Sequence, residues 1–196
     1  MRVIGLLLII VIVLLIRVVT VFAGDTSDWK EITVNNVDFK LPPKYLPNDS
    51  EYTYPQSYFH GYPSDFIIKS MTLYNDLLDE YGSNSKTTLY IEETNIGRHD
   101  ALIIYNYNKY HDKTELHLFF STGEKIFYIK YPNDNVTSEL KKIIKSTPKS
   151  KMSYTTFMDK LNNAQNDYLN QELQINLELD REDYYRDRVL DSLEGI

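Results

Sequence analysis

Between Thr87 and Tyr131 the chain reads as four strands joined by short polar turns, and this run limits the fold more than any other feature of its 196 residues. Thr87 to Glu93 passes through Asn95-Ile96-Gly97-Arg98 into Asp100 to Asn108, where Ala101, Ile103, Tyr105 and Tyr107 alternate with Leu102 and Ile104. Lys109 to Lys113 forms a polar turn before Glu115 to Phe120. Ser121-Thr122-Gly123-Glu124 then turns the chain into Lys125 to Tyr131. Alternation of period two puts side chains on opposite faces of a strand, and connections this short join only antiparallel neighbours. The expectation is an α+β fold built on an antiparallel β-meander sheet packed with helices.

Upstream, Ile32-Thr33-Val34 and Val37-Asp38-Phe39-Lys40-Leu41 flank Asn35-Asn36, a pair that tolerates the positive φ of a tight hairpin turn. Tyr45 to Pro63 contains three prolines and reads as an irregular loop. Ser64 to Tyr81 has Ile67, Met71, Tyr74, Leu78 and Tyr81 at helical spacing before Gly82, so a helix is expected, although Phe66 to Leu73 also suits a strand. Thr137 to Thr147 reads as an amphipathic helix, with Leu140, Ile143, Ile144 and Thr147 on one face and Lys141, Lys142 and Lys145 turned away. Pro148 ends it. A second helical stretch starts at Ser153. Leu173, Ile175, Leu177 and Leu179 alternate with polar residues, which leaves that segment open, and Asp180 to Leu193 looks helical again. Spacing of Tyr154, Leu161 and Tyr168 is heptad-like but short for a coiled coil.

At the other end, Val3 to Ile16 is an unbroken apolar run that Arg17 interrupts and Val18 to Ala23 continues. As a helix, its 21 residues would span about 31 Å, close to the hydrocarbon thickness of a bilayer. Arg2 precedes it, and Asp25, Asp28 and Glu31 follow. That asymmetry puts the N-terminus in the cytoplasm and the domain outside. Val21 and Ala23 ahead of Gly24 also fit a signal-peptide cut, so anchor and secreted forms both stay open. The expected organisation is 1–24 anchor or signal peptide, 25–30 linker, 31–150 α+β domain and 151–196 acidic helical extension. Sequons at Asn48 and Asn135 are compatible with an outside location.

Net charge is −7, and residues 166–196 alone hold nine acids against three arginines. Nucleic acid needs a basic footprint, so it is excluded as an expected partner. Cysteine is absent, which removes disulfides, thiolate metal sites and a cysteine nucleophile.

Several features combine into a pattern. A hairpin ends in Phe39-Lys40-Leu41-Pro42, Ile96-Gly97 turns one strand pair, and Ser121-Thr122-Gly123-Glu124-Lys125 closes another. Leu140 and Ile143-Ile144-Lys145-Ser146-Thr147 then lie on a helix. Over about residues 30–148 this resembles uncharacterised exported or membrane-anchored proteins of methanogenic archaea, whose topology is similar to the PsbP-like α-β-α sandwich. The resemblance implies helices on both faces of an antiparallel sheet and a binding or assembly role in place of catalysis. It carries no site residues.

Three groups of side chains are candidates for chemistry. Glu115 and His117 would share a strand face and could bind a metal if His111 swung in from its turn, giving an envelope hydrolase or metal-dependent enzyme. His99-Asp100 could orient toward a serine such as Ser121, yet no nucleophile-elbow or oxyanion motif accompanies them. Adjacent carboxylates Glu92-Glu93 would face opposite ways on a strand, and Asp79-Glu80 reads as solvated surface. The leading expectation is a non-enzymatic module with no cofactor, tied to the membrane through residues 3–23. It would meet a protein or glycan partner through a tyrosine-rich recognition loop (Tyr52, Tyr54, Tyr58, Phe59, Tyr62), the C-terminal helices, or both.

Overall fold

The computed structural model describes residues 26–46, 57–61, 65–85, 88–109 and 112–194. The apolar segment Val3–Ala23, with the anchor and signal readings placed on it, lies outside the described residues. No helix among the described residues is long and apolar enough to cross a membrane.

Strands β1 (Lys30–Val34) and β2 (Val37–Leu41) form the expected hairpin. Asn35 and Asn36 sit at its turn with φ of 46° and 58°, and side-chain amides tolerate that left-handed conformation best among non-glycine residues. Six further strands form one antiparallel sheet: β3 (Tyr58–Gly61), β4 (Phe66–Met71), β5 (Thr88–Ile96), β6 (His99–Asn108), β7 (Lys113–Thr122) and β8 (Lys125–Tyr131). Their order is β3-β4-β8-β7-β6-β5. The predicted meander is the run β5 to β8, with each strand beside its predecessor.

Two expectations are corrected here. The helix predicted from Ser64 begins only at Tyr74, because Phe66–Met71 is strand β4. Its β-branched, alternating residues send Phe66 and Ile68 to one core and Ile67 and Met71 to the other. Helix α1 (Tyr74–Leu77) passes through a π-helical turn (Leu78–Gly82) into a last turn (Ser83–Ser85). Its start is set by Asp76, whose carboxylate accepts from the backbone N–H of Thr72 (3.0 Å) and Leu73 (2.8 Å). Part of the predicted loop is also ordered pairing, since Tyr58–Gly61 adds a strand to β4.

Helix α2 (Ser138–Lys145) is capped by Thr137, whose hydroxyl accepts from the Leu140 N–H at 3.2 Å. The extension expected as broken helical pieces is one helix, α3 (Tyr154–Glu194), 41 residues long.

The two faces of the sheet hold separate cores. On the first, Phe39, Leu41 and Val37 of the hairpin and Leu140, Ile143 and Ile144 of α2 pack on Ile103, Leu118, Phe120, Phe127 and Ile129. Phe39 meets Phe127 edge-on at 5.2 Å. On the second, Phe157, Met158, Leu161 and Ala164 of α3, with Leu77 and Tyr81, pack on Leu102, Ile104, Phe119 and Tyr128.

Candidate functional site

Three parts of the sequence were expected to carry function, and the fold treats them differently. Of the tyrosine-rich segment, Tyr52, Tyr54 and Tyr62 lie outside the described residues. Phe59 is fully buried in the first core and meets Phe66 edge-on, so its place in a recognition loop is corrected: strand alternation turns Phe59 and Gly61 inward. Tyr58 is half-buried and His60 is exposed. Tyr45 is buried too, stacked on Phe66 at 4.3 Å with its hydroxyl on Glu139 at 2.8 Å. Burial and that carboxylate push its phenol far above the ordinary tyrosine range.

Glu115 and His117 do share a face of β7, with His117 Nε2 3.7 Å from Glu115 Oε2. His111 lies outside the described residues. The pair belongs to a larger polar group at one end of the second core. Lys130 reaches Glu115 Oε1 at 3.4 Å and Asn108 donates to it at 3.0 Å. Burial works to raise the Glu115 carboxyl, but the Asn108 hydrogen bond and the Lys130 ammonium outweigh it and hold it below the usual range. His117 Nδ1 lies 2.7 Å from the Tyr128 hydroxyl, and burial together with the nearby Glu80 and Glu115 carboxylates pushes the Tyr128 phenol far above the ordinary tyrosine range. Glu80 is answered by Lys69 at 2.6 Å. Burial lowers the His117 pKa to about 4, so the ring is neutral at ordinary pH.

Each carboxylate in this group therefore has its own ammonium. Among the described residues, no three His, Cys, Asp or Glu side chains stand close enough to hold a metal. The other candidate sets are not assembled. His99 Nδ1 is hydrogen-bonded to the backbone carbonyl of Ser121 at 2.9 Å, not to its hydroxyl. Ser121 points to the opposite face of the sheet from Phe120, on which the His99 ring packs. Glu92 and Glu93 face opposite ways, one accepting from Tyr105 and the other from Tyr154.

The third part, α3, carries the feature that stands out. Its first turns are docked. Phe157, Leu161 and Ala164 are buried, and the Tyr74 hydroxyl donates to Asp167 at 2.7 Å. Beyond Tyr168 the helix leaves the sheet. Leu169, Leu173, Ile175, Leu177, Leu179, Tyr184 and Tyr185 are each 45–58% exposed. Leu169, Leu173, Leu177 and Tyr184 fall on one side of the helix by their spacing of four, four and seven. Ile175 and Leu179 fall on the other and continue the line of Phe157, Leu161, Ala164 and Tyr168. This two-sided stripe is what the alternation at 173–179 encodes. Sequence reading missed it because strict alternation at 173–179 matches a strand period and left the segment undecided. The free part carries eight acids against three arginines.

No protein-family model matches the chain, and neither does a curated protein or a solved structure.

Proposed function

We propose that this protein is a non-enzymatic binding or assembly module, held at a membrane by residues 3–23 with its α+β domain on the extracytoplasmic side. The observation that carries the reading is the free part of α3. A solvated helix keeps apolar side chains off its surface, whereas this one presents six or more on two opposite sides. Such a helix fits between two surfaces of a partner, and its acidic excess selects a basic one. The placement of α2 and α3 on opposite faces of an antiparallel sheet supports likeness to the PsbP-like sandwich and to exported proteins of methanogenic archaea.

The test is the size of the complex extracted from native membranes. The wild-type chain is expected to migrate as a larger assembly on native gels. Leu173→Glu with Leu177→Glu is expected to release the free chain with its melting temperature unchanged, because both positions lie outside the core. A wild-type chain already free of partners would sink the reading.

A metal-dependent hydrolase is the second reading, favoured by the 3.7 Å approach of His117 to Glu115. Two ligands on one metal ion stand about this far apart when each bond is near 2 Å. That reading requires His111 as a further ligand and expects stoichiometric zinc in purified protein, lost in His117→Ala. Purified protein without zinc that takes up none from solution would end it.

A further inference from the structure

We propose that the α2 face of the domain docks on an anionic bilayer surface, leaving the α3 arm pointing away from the membrane. The inference rests on the tethered reading given above and adds which side of the domain meets the lipid.

Two observations converge on that face. The first is where the chain enters the fold. Trp29 packs against the first core and leads directly into β1. The hairpin and α2 lie together on that side of the sheet, joined by the Lys40 N–H donating to Ser146 Oγ at 2.9 Å. A segment anchoring residues 3–23 in a bilayer is followed by only a few residues before Trp29. The side carrying the hairpin and α2 is therefore the side nearest the lipid, and the sheet separates it from α3.

The second observation is charge. Helix α2 buries Leu140, Ile143 and Ile144 and turns Lys141, Lys142 and Lys145 outward. The aliphatic stem of Lys145 lies over Gly97, where an added Cβ would stand 3.1 Å from it, and exposed Arg98 follows. Lys149 is exposed just past the helix. None of these five cations has an ion-pair partner among the described residues. The one acid on the helix, Glu139, is taken by Lys44 at 2.8 Å. The outward face of the hairpin is closer to balanced, with Lys40 across from Glu31. The short acidic stretch after the tether, Asp25, Asp28 and Glu31, lies ahead of and at the start of the hairpin, whereas the α2 side carries these five unpaired cations and residues 169–194 on the far side carry eight acids against three arginines. Lysines near anionic lipid are attracted within a Debye length, whereas an acidic arm is repelled.

The chain contains no cysteine, so single cysteines can be introduced as reporters. Ser138 is exposed on the same side of α2 as Lys141 and Lys145, and Gln174 is exposed on the arm. The full chain, carrying a fluorophore at Ser138→Cys or at Gln174→Cys, is reconstituted into vesicles of phosphatidylcholine with or without phosphatidylglycerol. Quenching by a headgroup-attached quencher is then read. The Ser138 position is expected to be quenched in the anionic vesicles only, and the Gln174 position in neither. Lys141→Gln with Lys145→Gln is expected to lower the docked-to-undocked ratio about thirtyfold, and high salt should act in the same direction. Equal quenching at Ser138 in both lipids, or quenching at Gln174 instead, overturns the proposal. Protection of the α2 lysines by heparin with no response to anionic vesicles would assign the face to a soluble polyanion, and also overturns it. Carbonate washing of native membranes checks the premise separately: a chain released by the wash refutes the tether and the docking with it.

Discussion

Replacing Gly82 by alanine is expected to destabilise the protein by about 3 kcal/mol, mostly by forcing α3 away from the π-helical turn. Helix propensity alone points the other way, since alanine is favoured over glycine by about 1 kcal/mol inside a helix. The contact decides the sign. A Cβ built on Gly82 would lie 2.4 Å from Tyr168 Cγ and 2.5 Å from its Cβ. Those atoms are the root of the tyrosine side chain, so rotation of the ring does not relieve the overlap. Either the π turn or the docked part of α3 must move, and Tyr81, buried next to Gly82 with its ring edge-on to Phe119, moves with it. Urea unfolding reads the loss, and limited proteolysis should show new cuts between residues 154 and 170. Adding Tyr168→Ala to the variant is expected to recover part of the stability. An unchanged unfolding midpoint in Gly82→Ala would mean that α3 does not dock at this turn.

Acidification between pH 6.5 and about 4 is expected to remove about 3 kcal/mol of stability through His117. In the folded protein its burial lowers the pKa to about 4, while the unfolded chain titrates near the ordinary 6.5. Between those values the unfolded state binds the extra proton, so stability rises with pH across the window. The contribution is complete above 6.5 and is lost as pH falls toward 4. His99, lowered chiefly by burial, acts with the same sign. Glu115, held below the usual carboxyl range, adds its own loss at more acidic pH. His117→Gln should flatten the upper part of the curve without abolishing it, because His99 remains. If its pH profile of melting overlays that of the wild type, His117 does not hold a depressed pKa.

The hairpin, the meander and α2 were legible because each is specified locally. Asn35-Asn36 sets a turn, period-two alternation sets strands, and Thr137 with Pro148 brackets a helix. Strand β4 was ambiguous because Ile67 and Met71 satisfy a helical spacing that also fits alternation across two buried faces. Nothing local distinguishes them. Pairing with β8 does. Burial of Phe59 was hidden for the same reason, since an aromatic in a segment bracketed by Pro55 and Pro63 looks like a loop residue until a neighbouring strand claims it. At the polar group, shared orientation of Glu115 and His117 followed from the strand period. Their neutralisation by Lys130, Asn108 and Tyr128 did not, because those partners come from elsewhere in β6 and β8 and are brought together only by the sheet.

Helix α3 runs unbroken from the packed turns around Phe157 to the solvated turns beyond Leu169. Helices resist bending over such lengths, so the free part is not a flexible leash. It behaves as a strut of about 39 Å, at 1.5 Å for each of its last residues. Whatever grips its tip is held at a fixed distance from the sheet, with an angle set by the seating of Leu161, Ala164 and Tyr168. A pull on that tip would be felt first at the close approach of Tyr168 to Gly82, making the smallest side chain in the fold the fulcrum of its longest element.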